Sequence, residues 1–218
     1  MPKENIRGPV WVLAEQIEGQ LLSVSLQLVG HARKLADQLG TPTEAILLGD
    51  RVESLAGQLF AAGADLVYLG EAPELALYQP EAYTELIAGL ARERNPDILL
   101  VGSTPMGREL APLVAARLET GLTAHCIDLV LDESGVLEQQ VPAYGGLISI
   151  VCPERRPQMA TVAKGVFPNP ELDQSRAGEI VRLDMPEEIS RRVETLEVVP
   201  EEPKGVPLES AQVVVAGG

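Results

Sequence analysis

Apolar residues along this chain fall into two alternating patterns. Residues 10–14 (VWVLA), 45–48 (AILL), 65–69 (DLVYL) and 97–101 (DILLV) are short apolar runs. Runs of that length read as strands buried on both faces. Between them, apolar positions recur at helical spacing. Leu22, Leu26, Val29, Ala32, Leu35 and Ala36 form one stripe, stopped by Gly40. Leu55, Leu59 and Ala62 form a second, ended by Gly63. Tyr83, Ile87 and Leu90 mark a third, which stops before Asn95 and Pro96, and residues 108–118 a fourth. Strands alternating with helices over about 120 residues predict a three-layer α/β fold around a parallel sheet. Ligands in such sheets bind at the carboxyl ends of the strands.

From residue 123 the pattern changes. Residues 127–131, 137–141, 147–151 and 158–162 read as strands joined by short turns, with a hairpin turn at 132–135 (DESG). Such short spacing predicts a small antiparallel sheet, or an antiparallel extension of the first one, in the second half. Residues 168–187 are polar and carry three prolines, so a surface connection is expected there. Residues 191–199 alternate enough for a strand. Residues 200–210 form a proline-rich linker, semi-rigid by composition. Residues 211–218 (AQVVVAGG) resemble a buried parallel strand entering a glycine turn. The expected division is therefore 1–199, a linker at 200–210, and the stub of a further domain at 211–218.

Charge narrows the function. The formal net charge is -15. A nucleic-acid binder needs a basic face, so that class is disfavoured. No apolar run reaches the roughly 20 residues needed to span a bilayer. Met1 to Arg7 holds no apolar signal core. Cys126 and Cys152 lie far apart and suggest neither a disulfide framework nor a metal site. A cytoplasmic location is the expectation.

Few catalytic sets fit. The only histidines are His31 and His125, there is no GxxxxGK[ST] or GxGxxG loop, and no histidine or cysteine spacing suits a metal. His31 reads as a boundary residue within a helix, and His125, beside Cys126 and Asp128, as structural. The most informative local segment is 102–108 (GSTPMGR). Thr104 suits an N-cap and Pro105 the first helical position. Gly102, Ser103, Thr104 and Arg108 form a candidate anion or nucleotide site at a helix start. A well-capped helix with no ligand is the competing reading. At 118–123 (LETGLT), Gly121 is expected to end the helix in a redirecting turn. At 141–146 (VPAYGG), two glycines precede a strand and suit a bulge or turn. Arg155 and Arg156 suit pairing with a carboxylate or a partner's phosphate, or simple exposure.

Taken in order, these later segments resemble electron-transfer flavoprotein alpha subunits. The resemblance is carried by 97–104 (DILLVGST), 115–124 (AARLETGLTA), 142–146 (PAYGG), 152–162 (CPERRPQMATV), 165–167 (GVF) and 213–218 (VVVAGG), and covers essentially the whole chain. It departs from the family at Val141, where arginine is common, at Leu147, where asparagine is common, and at Ala163 and Lys164, where an Arg-Pro pair is common. The resemblance implies an amino-terminal domain with a fold similar to adenine nucleotide alpha hydrolase-like domains. It implies a beta-subunit partner docked near Tyr144, Gly145, Gly146, Arg155 and Arg156. FAD is implied for the carboxy-terminal domain of the parent, whose entrance is Gly217 and Gly218, so this segment alone is expected not to bind it. AMP or a second FAD is implied for the beta subunit. The implied activity is electron carriage between acyl-CoA dehydrogenase-type enzymes and an acceptor, without catalysis by this chain. The rival is a stand-alone adenine-nucleotide-binding domain.

Overall fold

The computed structural model describes residues 7–186, 193, 195–199, 211 and 213–217. The first half alternates as the apolar pattern requires. β1 (Val10–Ala14) leads through a small hairpin, β2 (Gln16–Ile17) and β3 (Gln20–Leu21), into α1 (Ser23–Leu39). Then come β4 (Thr43–Gly49), α2 (Ala56–Ala62), β5 (Leu66–Glu71), α3 (Pro80–Arg94), β6 (Ile98–Gly102) and α4 (Pro105–Leu118). Every residue of β1, β4 and β6 is buried, which is why each carries an unbroken apolar run. The later strands are β7 (Leu122–Cys126), β8 (Asp128–Leu131), β9 (Leu137–Ala143), β10 (Gly146–Val151), β11 (Gln158–Val162) and β12 (Glu179–Arg182).

Seven strands form one sheet in the order β12-β5-β4-β1-β6-β11-β7, and every pair in it is parallel. One face packs on α1 and α2 through Leu28, Leu35 and Leu59. The other packs on α3 and α4 through Ile87, Leu110 and Val114. The sheet grows outward from β1 through β4 to β5, and the chain then returns to place β6 on the other side of β1. The sheet therefore reverses its direction of growth between β1 and β6. A separate antiparallel sheet, β10-β9-β8, stands beside it.

Several expectations need correction. Residues 158–162 join the parallel sheet, where Gln158 lies beside Ile98, rather than the antiparallel one. Full burial of all five residues is the reason. The segment after α4 is a strand, β7, and not only a turn. The left-handed residue that ends α4 is Glu119 (φ 53°), so Gly121 is already outside the cap. The polar stretch 168–187 contains β12, which extends the sheet along β5. Its half-exposed pattern is that of an edge strand, which polar composition hides. Finally, residues 213–217 form no strand, and Val213, Val214 and Val215 are exposed. An apolar strand is buried only where a neighbouring strand and a covering layer meet it. Of the alternating run 191–199, residues 193 and 195–199 also form no strand. Gly218, residues 191, 192 and 194, and the 200–210 linker lie outside the described residues.

Candidate functional site

The carboxyl ends of β1 and β6 meet at the reversal point, and the chain places its least ordinary group there. Glu15 follows β1 directly and is 2% exposed. Its backbone is tied to the start of α1: its N–H donates to Ser25 Oγ at 2.8 Å, and its carbonyl accepts from Leu22 N and from Ser25 Oγ. Across the sheet, Thr104 caps α4, its Oγ1 accepting from Gly107 N at 2.9 Å. The same hydroxyl donates to Glu15 Oε2 at 2.5 Å. Among the described residues Glu15 Oε1 has no hydrogen-bond partner, and it lies against the Gly102 backbone, whose amide favours the ionised form. Burial pushes this carboxyl up from its ordinary 4.5 to about 7. The Thr104 bond, the Gly102 amide and the charge of Lys164 oppose that rise without cancelling it.

The glycines of this segment are explained by close approach. A Cβ on Gly107 would sit 1.9 Å from the Gly102 carbonyl oxygen. A Cβ on Gly102 would sit 2.6 Å from Glu15 Oε1. Both spaces are filled by the chain itself. The candidate residues Gly102, Ser103 and Thr104 are thus brought together, while Arg108 stands exposed one turn into α4. Ser103 Oγ lies 3.0 Å from His125 Nδ1, and the His125 backbone N–H donates to Thr161 Oγ1. His125 holds a left-handed φ of 60° and is exposed. Among the described residues no carboxylate hydrogen-bonds this ring, so the pair lacks the third member of a nucleophilic triad. Cys126 makes no pair with it: its thiol faces the Thr123 carbonyl, and burial pushes it up to about 12.

A crevice of about 450 Å³ opens at this edge, lined by Glu15, Leu22, Leu48, Tyr78, Thr104 and Met106 among others. A second hollow of about 250 Å³ lies at the opposite edge of the sheet, where Arg92, Arg117 and Arg156 converge. There Arg156 Nε donates to Asp97 at 2.9 Å, and Nη1 donates to the Pro153 and Arg155 carbonyls. Arg156 is internally engaged, whereas Arg155 is exposed. Tyr144 and Gly145 form a third locality, the two-residue turn between β9 and β10. Both have positive φ, 52° and 80°, as a type I′ hairpin demands. Tyr144 is fully exposed at its tip, next to exposed Gly146, Leu147, Ile148 and Val151. The candidate residues therefore divide among three places and do not form one site. Gly217 is exposed and joins none of them.

His31, within α1, is also better engaged than a boundary residue. Its Nε2 donates to the Leu129 carbonyl at 2.9 Å, and its ring stacks on Phe167 with centroids 3.6 Å apart. It pins β8 to α1. Sequence reasoning missed Glu15, although a charged residue at the end of an otherwise apolar strand was the available signal. It also missed the Ser103–His125 contact, because neighbouring strand ends bring together residues 22 positions apart.

The sequence pattern of the electron transfer flavoprotein domain matches residues 10–188, most of the chain. The chain belongs to the electron transfer flavoprotein domain family. It is 42% identical over 212 residues to the electron transfer flavoprotein subunit alpha of Thermoanaerobacterium thermosaccharolyticum, covering 96% of this chain and 64% of that protein. It is 43% identical to the subunit of the same name from Megasphaera elsdenii, covering 96% and 63%. It is 34% identical to the acryloyl-CoA reductase electron transfer subunit beta of Anaerotignum propionicum, covering 96% and 65%. The chain thus spans a little under two thirds of the length of these relatives. The three-layer fold with small antiparallel sheets is the architecture of this family. Among the described residues, no helix is long and apolar enough to cross a membrane.

Proposed function

We propose that this chain is the amino-terminal α/β domain of an electron-transfer flavoprotein alpha subunit and that its work is assembly. It docks a beta subunit carrying AMP or a second FAD, and it supports a flavin domain that begins near residues 211–218. The assembled protein carries electrons between an acyl-CoA dehydrogenase-type enzyme and a redox acceptor. The flavin supplies the redox chemistry, and this domain supplies position and contact. The reading makes the chain a carrier subunit, not an enzyme, working in the cytoplasm.

One observation carries the docking: the β9–β10 hairpin shows apolar side chains on both faces. Leu147 and Val151 point one way and Ile148 the other, and all three are exposed, as is Tyr144 at the tip. β10 is also a sheet edge with unpaired backbone groups. An exposed, apolar edge strand invites pairing or aggregation unless a partner covers it. Tyrosine at an exposed turn with positive φ is a strained position, typical of residues kept for contact.

Co-expression with a beta subunit tests this. A stable complex on size exclusion, weakened by Leu147→Asp and by Tyr144→Ala, is the expected result. A complex that forms equally well with both variants would remove the hairpin from the interface. A second reading, a free-standing adenine-nucleotide-binding domain with an anion on Gly102, Ser103, Thr104 and Arg108, is favoured only by the start of α4. The Glu15 carboxyl already sits on that helix start through Thr104.

A further inference from the structure

Docking makes no use of the crevice at the sheet's reversal point. We infer that this crevice holds a neutral nucleoside, its flat base against the apolar wall and an N–H or O–H donor on the Glu15 carboxyl.

Position is the first argument. Open α/β sheets bind ligands beyond the carboxyl ends of the strands, where the order of growth reverses, and the crevice lies there, between β1 and β6. Size is the second. A hollow of about 450 Å³ falls in the range of small-ligand sites. Its wall is the third: Leu22, Leu48, Leu77 and Met106 are joined by Tyr78 and Tyr83, a surface suited to a planar ring. The fourth is Glu15 itself. A carboxyl that is 2% exposed with one oxygen unpartnered is costly to keep, and such groups concentrate where a ligand uses them. The last torsion of a glutamate is soft, so Oε1 can turn to a donor without moving the backbone. Near neutral pH the group exchanges between acid and carboxylate, so it can serve either partner of a hydrogen bond.

The same residue argues against a phosphate. The amino end of α4 would ordinarily attract an anion. Here the chain's own carboxyl takes that position through Thr104. A ligand phosphate would meet a second negative charge there, in a chain of net charge -15. The only lysine on the crevice wall among the described residues, Lys164, is exposed at its rim, and its charge already favours the ionised Glu15.

Calorimetric titration of the 218-residue chain with adenosine, guanosine, cytidine and uridine, and with their 5′-monophosphates, decides the matter. The expected result is saturable one-to-one binding of at least one nucleoside, with its monophosphate binding no tighter. Loss of the bond to a charged acceptor predicts that Glu15→Leu weakens the nucleoside by about tenfold or more. Met106→Trp, which narrows the crevice and leaves the acid in the sequence, should weaken it comparably and decides the case if Glu15→Leu fails to fold. Arg117→Ala, at the opposite edge, should bind as the parent does. No binding by any of the four at millimolar concentration overturns the inference. So does tighter binding of a monophosphate than of its nucleoside, or unchanged affinity in folded Glu15→Leu. None of these outcomes depends on beta-subunit docking.

Discussion

Replacing Glu15 by glutamine should make this protein more stable in neutral and alkaline solution, and by an amount that depends on pH. Burial raises the Glu15 carboxyl from 4.5 to about 7 in the folded chain. The folded state therefore holds its proton more tightly than the unfolded state does. Below 4.5 both states are protonated and the group costs nothing by this route. As pH rises from 4.5 to 7, the unfolded chain ionises freely while the folded chain resists, and stability falls. Above 7 the full penalty is present. Its size follows from the two values: about 3 kcal/mol, at roughly 1.4 kcal/mol for each tenfold change in proton affinity. Glutamine keeps the shape and the acceptor for Thr104 but cannot ionise. The assay is urea unfolding of parent and variant at pH 5, 6, 7 and 8. Taking the difference at each pH removes the other acids, including Glu44, which burial also raises. The variant should match the parent within about 1 kcal/mol at pH 5 and exceed it by about 2 to 3 kcal/mol at pH 8. For a domain of this size, that is a rise of several degrees in Tm. A difference that stays flat from pH 5 to pH 8 would refute the assignment of Glu15 as a strained buried acid.

Three further outcomes are expected. Thr104→Val removes the cap on Gly107 N and the donor on Glu15 Oε2 together, so unfolding experiments at pH 7 should show a loss of about 1 to 3 kcal/mol, near the sum of a lost cap and a stranded buried acceptor. His31 is held below its ordinary 6.5 by burial, so the folded state favours neutral imidazole and stability is lost as pH falls through and below 6.5. His31→Gln should flatten that acid-side slope, and hydrogen exchange at the strand 128–131 should accelerate at pH 5.5 in the parent more than in the variant. Leu147→Asp lies on exposed sheet surface and should change the stability of the isolated chain by less than about 0.5 kcal/mol, even though it is expected to weaken the complex; a large loss of stability would mean that β10 is packed within this chain.

Legibility divided along physical lines. The strands that read cleanly, β1, β4 and β6, are buried on both faces and each carries an unbroken apolar run of four or five residues. The cap at Thr104 and Pro105 was equally readable, since one turn of helix decides it. What escaped the sequence was pairing across distance. β11 and the strands 128–151 share the same short apolar spacing, and only the partner tells them apart: β11 sits between β6 and β7, while β8, β9 and β10 pair among themselves. β12 is an edge strand with half its residues exposed, so its composition matched that of a loop. The same limit applied to the site. Gly102 and Gly107 could be read as places of close approach, but not that the approaching groups are Glu15 and the chain's own backbone. That difference reverses the electrostatics of the site. A helix start read from its own residues invites an anion, whereas a helix start already facing a buried acid disfavours one. The charge at a binding edge is therefore a property of neighbouring strands, and for this chain it is set 87 residues upstream of Gly102, by Glu15.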